Sequence, residues 1–156
     1  AAGTGRFLEV VAEKLGLKLE ELGELSLRAP TPVKISSTCT VFAEQEIVSH
    51  LAEGASQEAI VSGIHRAIAE RIGNMVDKIG IEPEVVITGG GAKNIGLVKA
   101  LEARLGCPLR VPPEPLLTGC IGAALLGKEY VLQAQQRGQT LPTKERKLEA
   151  QVTTYK

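Results

Sequence analysis

At 156 residues the chain has the length of one domain, on a prior of roughly 100–200 residues per domain. Its 18 Lys+Arg balance 18 Asp+Glu, a neutrality that argues against a nucleic-acid module driven by counterion release, and 44% hydrophobic with 23% charged residues excludes a disordered chain. No apolar run reaches the roughly 18–20 residues of a membrane span, no basic-then-apolar signal opens the chain, and Cys39, Cys107 and Cys120 are too few for a secreted disulfide scaffold, so a reducing, cytoplasmic setting is expected.

The opening, Ala1-Ala2-Gly3-Thr4-Gly5-Arg6, has no initiator Met and reads as the back part of a longer protein. Phe7, Leu8, Val10, Val11 and Leu15 recur at helical spacing, which predicts a helix over 5–15 stopped by Gly16. A second, weaker helix is expected over 17–27, interrupted by Gly23, before Pro30 and Pro32 break the pattern. The next helix is predicted from Thr40 or Val41 to about Glu53, with hydroxyls of Ser36, Ser37 and Thr38 as caps and Gly54 as its end. A long helix over about 57–79 follows, with Ile60, Ile64, Ala67, Ile68, Ile72, Met75, Val76 and Ile79 as its buried stripe.

The period then changes. Glu84 to Thr88 is a β-branched run without alternation, expected for a strand covered on both faces. Gly89-Gly90-Gly91 follows at once, then a helix over 95–105, a short strand over 108–111 and a last helix over 118–136 that begins on Gly119, Gly122, Ala123 and Ala124. Strand, glycine loop, helix and strand make a right-handed β-α-β unit, which the long helices before and after it would cover. The expected class is α/β and helix-rich, with an ordered lobe over 1–137 and a polar tail over 138–156.

The strongest chemical feature is Ile87-Thr88-Gly89-Gly90-Gly91-Ala92-Lys93-Asn94. Glycines let a ligand approach the main chain, and the helix start behind them offers free N–H groups to an anion. The spacing is not that of a P-loop or a dinucleotide fingerprint, and a tight turn that simply needs glycine explains it equally well. Gly3, Thr4 and Gly5 also feed a helix and either hold a phosphate or form a loose chain start.

Cys39 stands at a predicted helix start, where a thiolate is stabilised. It reads either as a metal ligand or redox group or as a small buried hydrophobe. Cys107 and Cys120 read as packing residues. His50 and His65 lack partners at ligand spacing and read as surface or satisfied core histidines. Glu44 and Glu46 point in different directions on their helix, so at most one of them faces a nucleotide cleft.

Three stretches carry a resemblance: Ala1-Ala2-Gly3-Thr4-Gly5-Arg6-Phe7, then Ser37-Thr38-Cys39-Thr40-Val41-Phe42-Ala43-Glu44, then Val86 to Asn94. In this order and spacing the chain, over roughly 1–130, resembles the C-terminal part of the ATP-dependent activators of (R)-2-hydroxyacyl-CoA dehydratases and the related ATPase subunits of benzoyl-CoA reductase. The resemblance implies the C-terminal lobe of an actin–hexokinase–Hsp70-like (ribonuclease H-like) ATPase fold. It also implies a homodimer bridged by one [4Fe–4S] cluster, with Cys39 as one ligand and the second expected just before Ala1.

By the same resemblance, ATP or ADP with Mg²⁺ would lie against Gly89, Gly90 and Gly91, with Gly3, Thr4 and Gly5 on the phosphate side and Lys93, Asn94 and Glu44 as further candidates. The catalytic residues, and the acidic residue expected to hold Mg²⁺, are expected in a first lobe that the sequence does not contain, so this part alone is expected to be inactive. The implied activity is ATP-driven delivery of a low-potential electron from a ferredoxin or flavodoxin donor to a dehydratase or reductase component, with neither nucleic acid nor membrane as partner. Two rival readings are a small-molecule kinase of the same superfold, which would not need Cys39, and a non-catalytic interaction lobe.

Overall fold

In the computed structural model, residues 4–36, 40–82 and 84–139 are described. The chain falls into two units, Ala1–Thr118 and Gly119–Lys156. In the first, helix α1 (Thr4–Leu15) turns Phe7, Leu8, Val11, Ala12 and Leu15 into the core, as its spacing predicts, and Gly16 ends it at φ 67°. Helix α2 (Glu21–Leu27) begins four residues later than expected. Gly23 lies inside it rather than breaking it: a Cβ there would meet Asn94 Oδ1 and Ile95 N at 3.2 Å, so the glycine buys close approach by another backbone.

Helix α3 (Thr40–Ala52) follows, and Gly54 terminates the turn at φ 83°. The expected cap hydroxyl of Ser36 is otherwise engaged. Its Oγ donates to Glu46 Oε1 at 2.8 Å and its N–H to Glu46 Oε2 at 2.7 Å, so a carboxylate six residues into α3 gathers the entering chain. Ser37, Thr38 and Cys39 lie outside the described residues.

Helix α4 (Gln57–Val76) is capped by Ser56, whose Oγ accepts from Ala59 N at 3.2 Å. It ends at Val76 and not Ile79, because beyond Asp77 the bonds tighten to three-residue spacing, Lys78 N to Met75 O and Ile79 N to Val76 O, before Gly80 at φ 80° turns the chain away. Its buried face is Ile60, Val61, Ile64, His65, Ile68 and Ala69, while Met75 and Ile79 are exposed. The i, i+4 row Val61–His65–Ala69 was not in the expected stripe, since it takes a histidine as core.

Strand β1 (Val85–Val86) pairs in parallel with β2 (Leu109–Arg110), in register Val85 to Leu109 and Val86 to Arg110. The ladder continues with Ile87 N donating to Arg110 O at 3.0 Å. The strand is covered on one face, not two: Ile87 and Leu109 pack on the core, while Val86 is half exposed. Helix α5 (Ile95–Leu105) crosses between the strands and ends on Gly106 in the left-handed conformation. Helix α4 packs chiefly on α5 and α2, so it backs the crossover helix.

Leu22, Ile47, Ile60, Ile64 and Leu97 are almost fully buried in one cluster built from α1 to α5. Each stabilises the unit by about 1.5–3 kcal/mol relative to exposure. Arg104 of α5 clasps α4 from outside, donating to Glu70 at 2.8 Å, Asn74 at 3.0 Å and Asp77 at 2.6 Å. The second unit contains helix α6 (Thr118–Gln136), with the bounds that its sequence predicts. Among the described residues no helix is long and apolar enough to cross a membrane.

Candidate nucleotide site

The glycine run divides its work. Gly89 adopts φ 84° and ψ −175°, a conformation closed to other residues, and its N–H donates to Pro115 O at 2.9 Å. This ties the glycine turn to the 113–117 loop. Gly90–Lys93 then forms a single 3₁₀ turn, closed by Asn94 N donating to Gly91 O at 3.1 Å. Gly89 is thus required by the turn, while Gly90 and Gly91 leave bare main chain on a cleft.

That cleft has a volume of about 420 Å³. Gly5 on α1 faces Gly90, Gly91, Lys93 and Asn94 across it, with Leu8, Leu19 and Leu116 as apolar walls and Glu9 and Glu20 as acidic ones. The structure therefore brings together Gly5, Gly90, Gly91, Lys93 and Asn94, five candidates drawn from two stretches far apart in sequence. Thr4 opens α1 but does not line the cleft, and Gly3 lies outside the described residues. Glu44 is elsewhere, ion-paired with Lys14 across the α1–α3 contact. Glu9 and Glu20 were missed by sequence reading, because only the packing of α1 and the 17–20 loop beside the turn selects them among 18 acidic residues.

The charge distribution gives the cleft a direction. Lys93 is the cation of its lining and stands at the glycine end. Two carboxylates, one of them held by Arg6 at 2.9 Å, make a poor surface for phosphate but a good one for hydroxyl and amino donors. Crevices of about 490 and 450 Å³ flank α4, but their glycines are closed over. Gly63 is covered by Val33, and Gly96 by Ser26 and His65, so neither crevice offers bare backbone.

Asn94 is held from two sides. Its Oδ1 caps α5 by accepting from Leu97 N at 2.9 Å, and its Nδ2 donates to His65 Nε2 at 3.1 Å. His65 is 1% exposed, and burial pushes its pKa from 6.5 down to about 4, so the ring is neutral near pH 7. His50 instead sits near the surface, with Nε2 3.2 Å from Lys34 O and Nδ1 3.3 Å from Glu53.

Of the cysteines, Cys107 is half-buried, as a packing residue would be. Cys120 is exposed on α6, which corrects its reading as packing: the small-residue stripe does not bury it. Among the described residues no group of three or more His, Cys, Asp and Glu side chains could hold a metal ion. Cys39 lies outside them, immediately before α3 in the sequence.

A parallel strand pair, a crossover helix and a glycine turn beside a cleft define one lobe of an actin-like ATPase fold. Residues 1–127 match the BadF/BadG/BcrA/BcrD ATPase family, and the chain belongs to it. It is 46% identical over 136 residues to the 2-hydroxyisocaproyl-CoA dehydratase activator of Clostridioides difficile, covering 87% of this chain and 51% of that protein. It is also 46% identical over 125 residues to the (R)-2-hydroxyglutaryl-CoA dehydratase activating ATPase of Acidaminococcus fermentans, covering 80% and 48%. A solved structure of the activator of the 2-hydroxyisocaproyl-CoA dehydratase from Clostridium difficile with bound ADPNP superposes with TM-score 0.81 at 43% identity, over 92% of this chain and 53% of that one. The chain spans about half the length of these relatives.

Proposed function

We propose that the cleft between α1 and the glycine turn binds an adenine nucleotide. On this reading Cys39 supplies one ligand of a [4Fe–4S] cluster shared by two copies, and the protein acts as an ATP-dependent activator of an acyl-CoA dehydratase or reductase component. The observation that carries the nucleotide part is the convergence of Gly5, Gly90, Gly91 and Lys93 on one cleft. The ADPNP-bound relative supports the nucleotide part, the relatives' names as dehydratase activators support the activator role, and the cluster rests on the resemblance of the stretch around Cys39.

The residues present fit a nucleoside. Bare backbone at Gly90 and Gly91 admits a flat base or sugar, Leu8, Leu19 and Leu116 bury its apolar faces, and Glu9 and Glu20 accept from its hydroxyls or exocyclic amine. Lys93 neutralises part of the phosphate charge, the rest falling to Mg²⁺. A cluster, when bound, supplies a one-electron couple of low potential, charged by a ferredoxin- or flavodoxin-like donor.

The link between the two functions runs through α1. Its N-terminal end lines the cleft, and its length packs on α3, with the Lys14–Glu44 ion pair across that contact. A nucleotide that binds one arrangement of α1 better than another shifts α3, whose first residue follows Cys39.

Two measurements on anaerobically purified full-length protein test this. Iron and acid-labile sulfide should come to about four irons per dimer and be lost in Cys39→Ala. ADP titrated by calorimetry should bind wild type but not Gly90→Val. A Cβ at Gly90 meets only Leu116, at 3.9 Å, so the turn has room for a side chain to start there and enter the cleft, and the melting temperature of the variant checks that the fold is kept. Iron absent from wild type, or unaffected by Cys39→Ala, refutes the cluster role; ADP binding unchanged in Gly90→Val puts the nucleotide elsewhere.

A further inference from the structure

A buried polar chain runs directly beneath the glycine turn, and neither the cleft nor the cluster accounts for it. Ser26 Oγ donates to Gly23 O at 2.8 Å, which commits its one hydrogen. His65 Nδ1, 2.9 Å from the same oxygen, must therefore be the protonated nitrogen and donate to it. Nε2 is then bare and accepts from Asn94 Nδ2, whose oxygen and nitrogen are told apart by Oδ1 accepting from Leu97 N. Every side-chain polar atom in the series has a partner, and no buried side-chain polar atom among the described residues is left without one. The tautomer follows from the network.

The site is built for this chain. A Cβ on Gly96 would come within 2.0 Å of Ser26 Oγ, 2.6 Å of Gly23 O and 2.8 Å of His65 Nδ1. Glycines at 23 and 96 are what let α2 and the start of α5 close over the ring. The imidazole itself does not line the cleft; its partner Asn94 does.

We propose that His65 is a positioning residue for the nucleotide cleft: by accepting from Asn94 Nδ2 it fixes the amide that joins the Gly90–Lys93 turn to α5. Asn94 is the point where turn and helix meet, its N–H closing the turn on Gly91 O and its side chain opening the helix at Leu97 N. Without the His65 contact the amide can rotate off its cap, and Gly90, Gly91 and Lys93 lose their common anchor. This rests on the reading of the cleft as an adenine-nucleotide site.

The two ends of the ring can be tested separately, because asparagine reaches only as far as Nδ1 and glutamine as far as Nε2. His65→Gln keeps an acceptor for Asn94, whereas His65→Asn keeps only a donor for Ser26. ADP affinity is measured by calorimetry on the full-length protein, with the melting temperature of each variant alongside. His65→Ala and His65→Asn should each weaken ADP about three- to tenfold, the range expected for one lost hydrogen bond, and His65→Gln should restore binding to within about twofold of wild type. The ¹⁵N spectrum of wild type should show the proton on Nδ1 and none on Nε2.

Equal ADP affinity in the Asn and Gln variants, a loss that follows melting temperature irrespective of which end is kept, or a proton on Nε2 would each overturn the assignment. Wild type that fails to bind ADP refutes the nucleotide reading itself, and the positioning role falls with it. Wild type that binds ADP while the variants break the pattern refutes the positioning role alone.

Discussion

Acid should weaken this protein through one identifiable residue. His65 has an ordinary pKa of 6.5 when unfolded and one pushed down to about 4 by burial when folded. Its surroundings offer the imidazolium no help: Ser26 and Asn94 are neutral, and the crevice beside the ring is lined by Arg66, Lys99 and Arg104, with Glu70 already engaged by Arg104. Between the two pKa values the unfolded chain takes up a proton that the folded chain refuses. Stability therefore rises with pH in this window: the contribution is complete above pH 6.5 and is lost as pH falls towards 4.

The slope approaches about 1.4 kcal/mol per pH unit, and the loss between pH 7.5 and 5 is about 2 kcal/mol. Urea unfolding of wild type and His65→Gln at pH 7.5, 6 and 5 isolates the effect, since the two proteins differ at this one residue. The wild-type free energy should fall by about 2 kcal/mol more than that of the variant over this range. Parallel curves for the two proteins would refute the neutral, buried histidine and with it the proton assignment on which the polar chain depends.

The remaining predictions concern packing and capping. Gly96→Ala drives a methyl into Ser26 Oγ and the Gly23 carbonyl, and Gly63→Ala puts one 2.4 Å from the Val33 carbonyl, so each should cost about 1–3 kcal/mol or more in urea unfolding. An unchanged midpoint in either variant would mean the helices do not approach this closely. Ser56→Ala removes the acceptor for Ala59 N at the start of α4 and should cost about 1 kcal/mol, read as a lower thermal midpoint with nucleotide affinity unaltered.

The sequence alone determined the local elements. Helix α5 runs Ile95–Leu105 and α6 runs Thr118–Gln136 as their periodicity and flanking residues predict, and the glycine turn stands where a β-branched run meets a helix start. Capping, helical period and the left-handed tolerance of glycine act within a few residues, so they are readable without a fold. The motifs at the chain start, around Cys39 and at Gly89–Gly91 likewise pointed to the family that residues 1–127 match.

What the sequence did not disclose depends on residues that meet only after packing. Gly23 looked like a helix breaker, and its purpose appears only when Asn94 and Ile95 lie against it. Glu44 looked free to face a nucleotide and is instead drawn to Lys14, while Ser36 looked like a cap and is taken by Glu46. Val86 looked buried on both sides because a β-branched run does not reveal how many neighbours its strand will have. His65 and Ser26 are 39 residues apart, and no local pattern makes one a donor to the other. Only the closing of α2, α4 and α5 over one ring removes water from it, and that desolvation turns a surface-neutral histidine into a fixed donor–acceptor pair beneath the cleft.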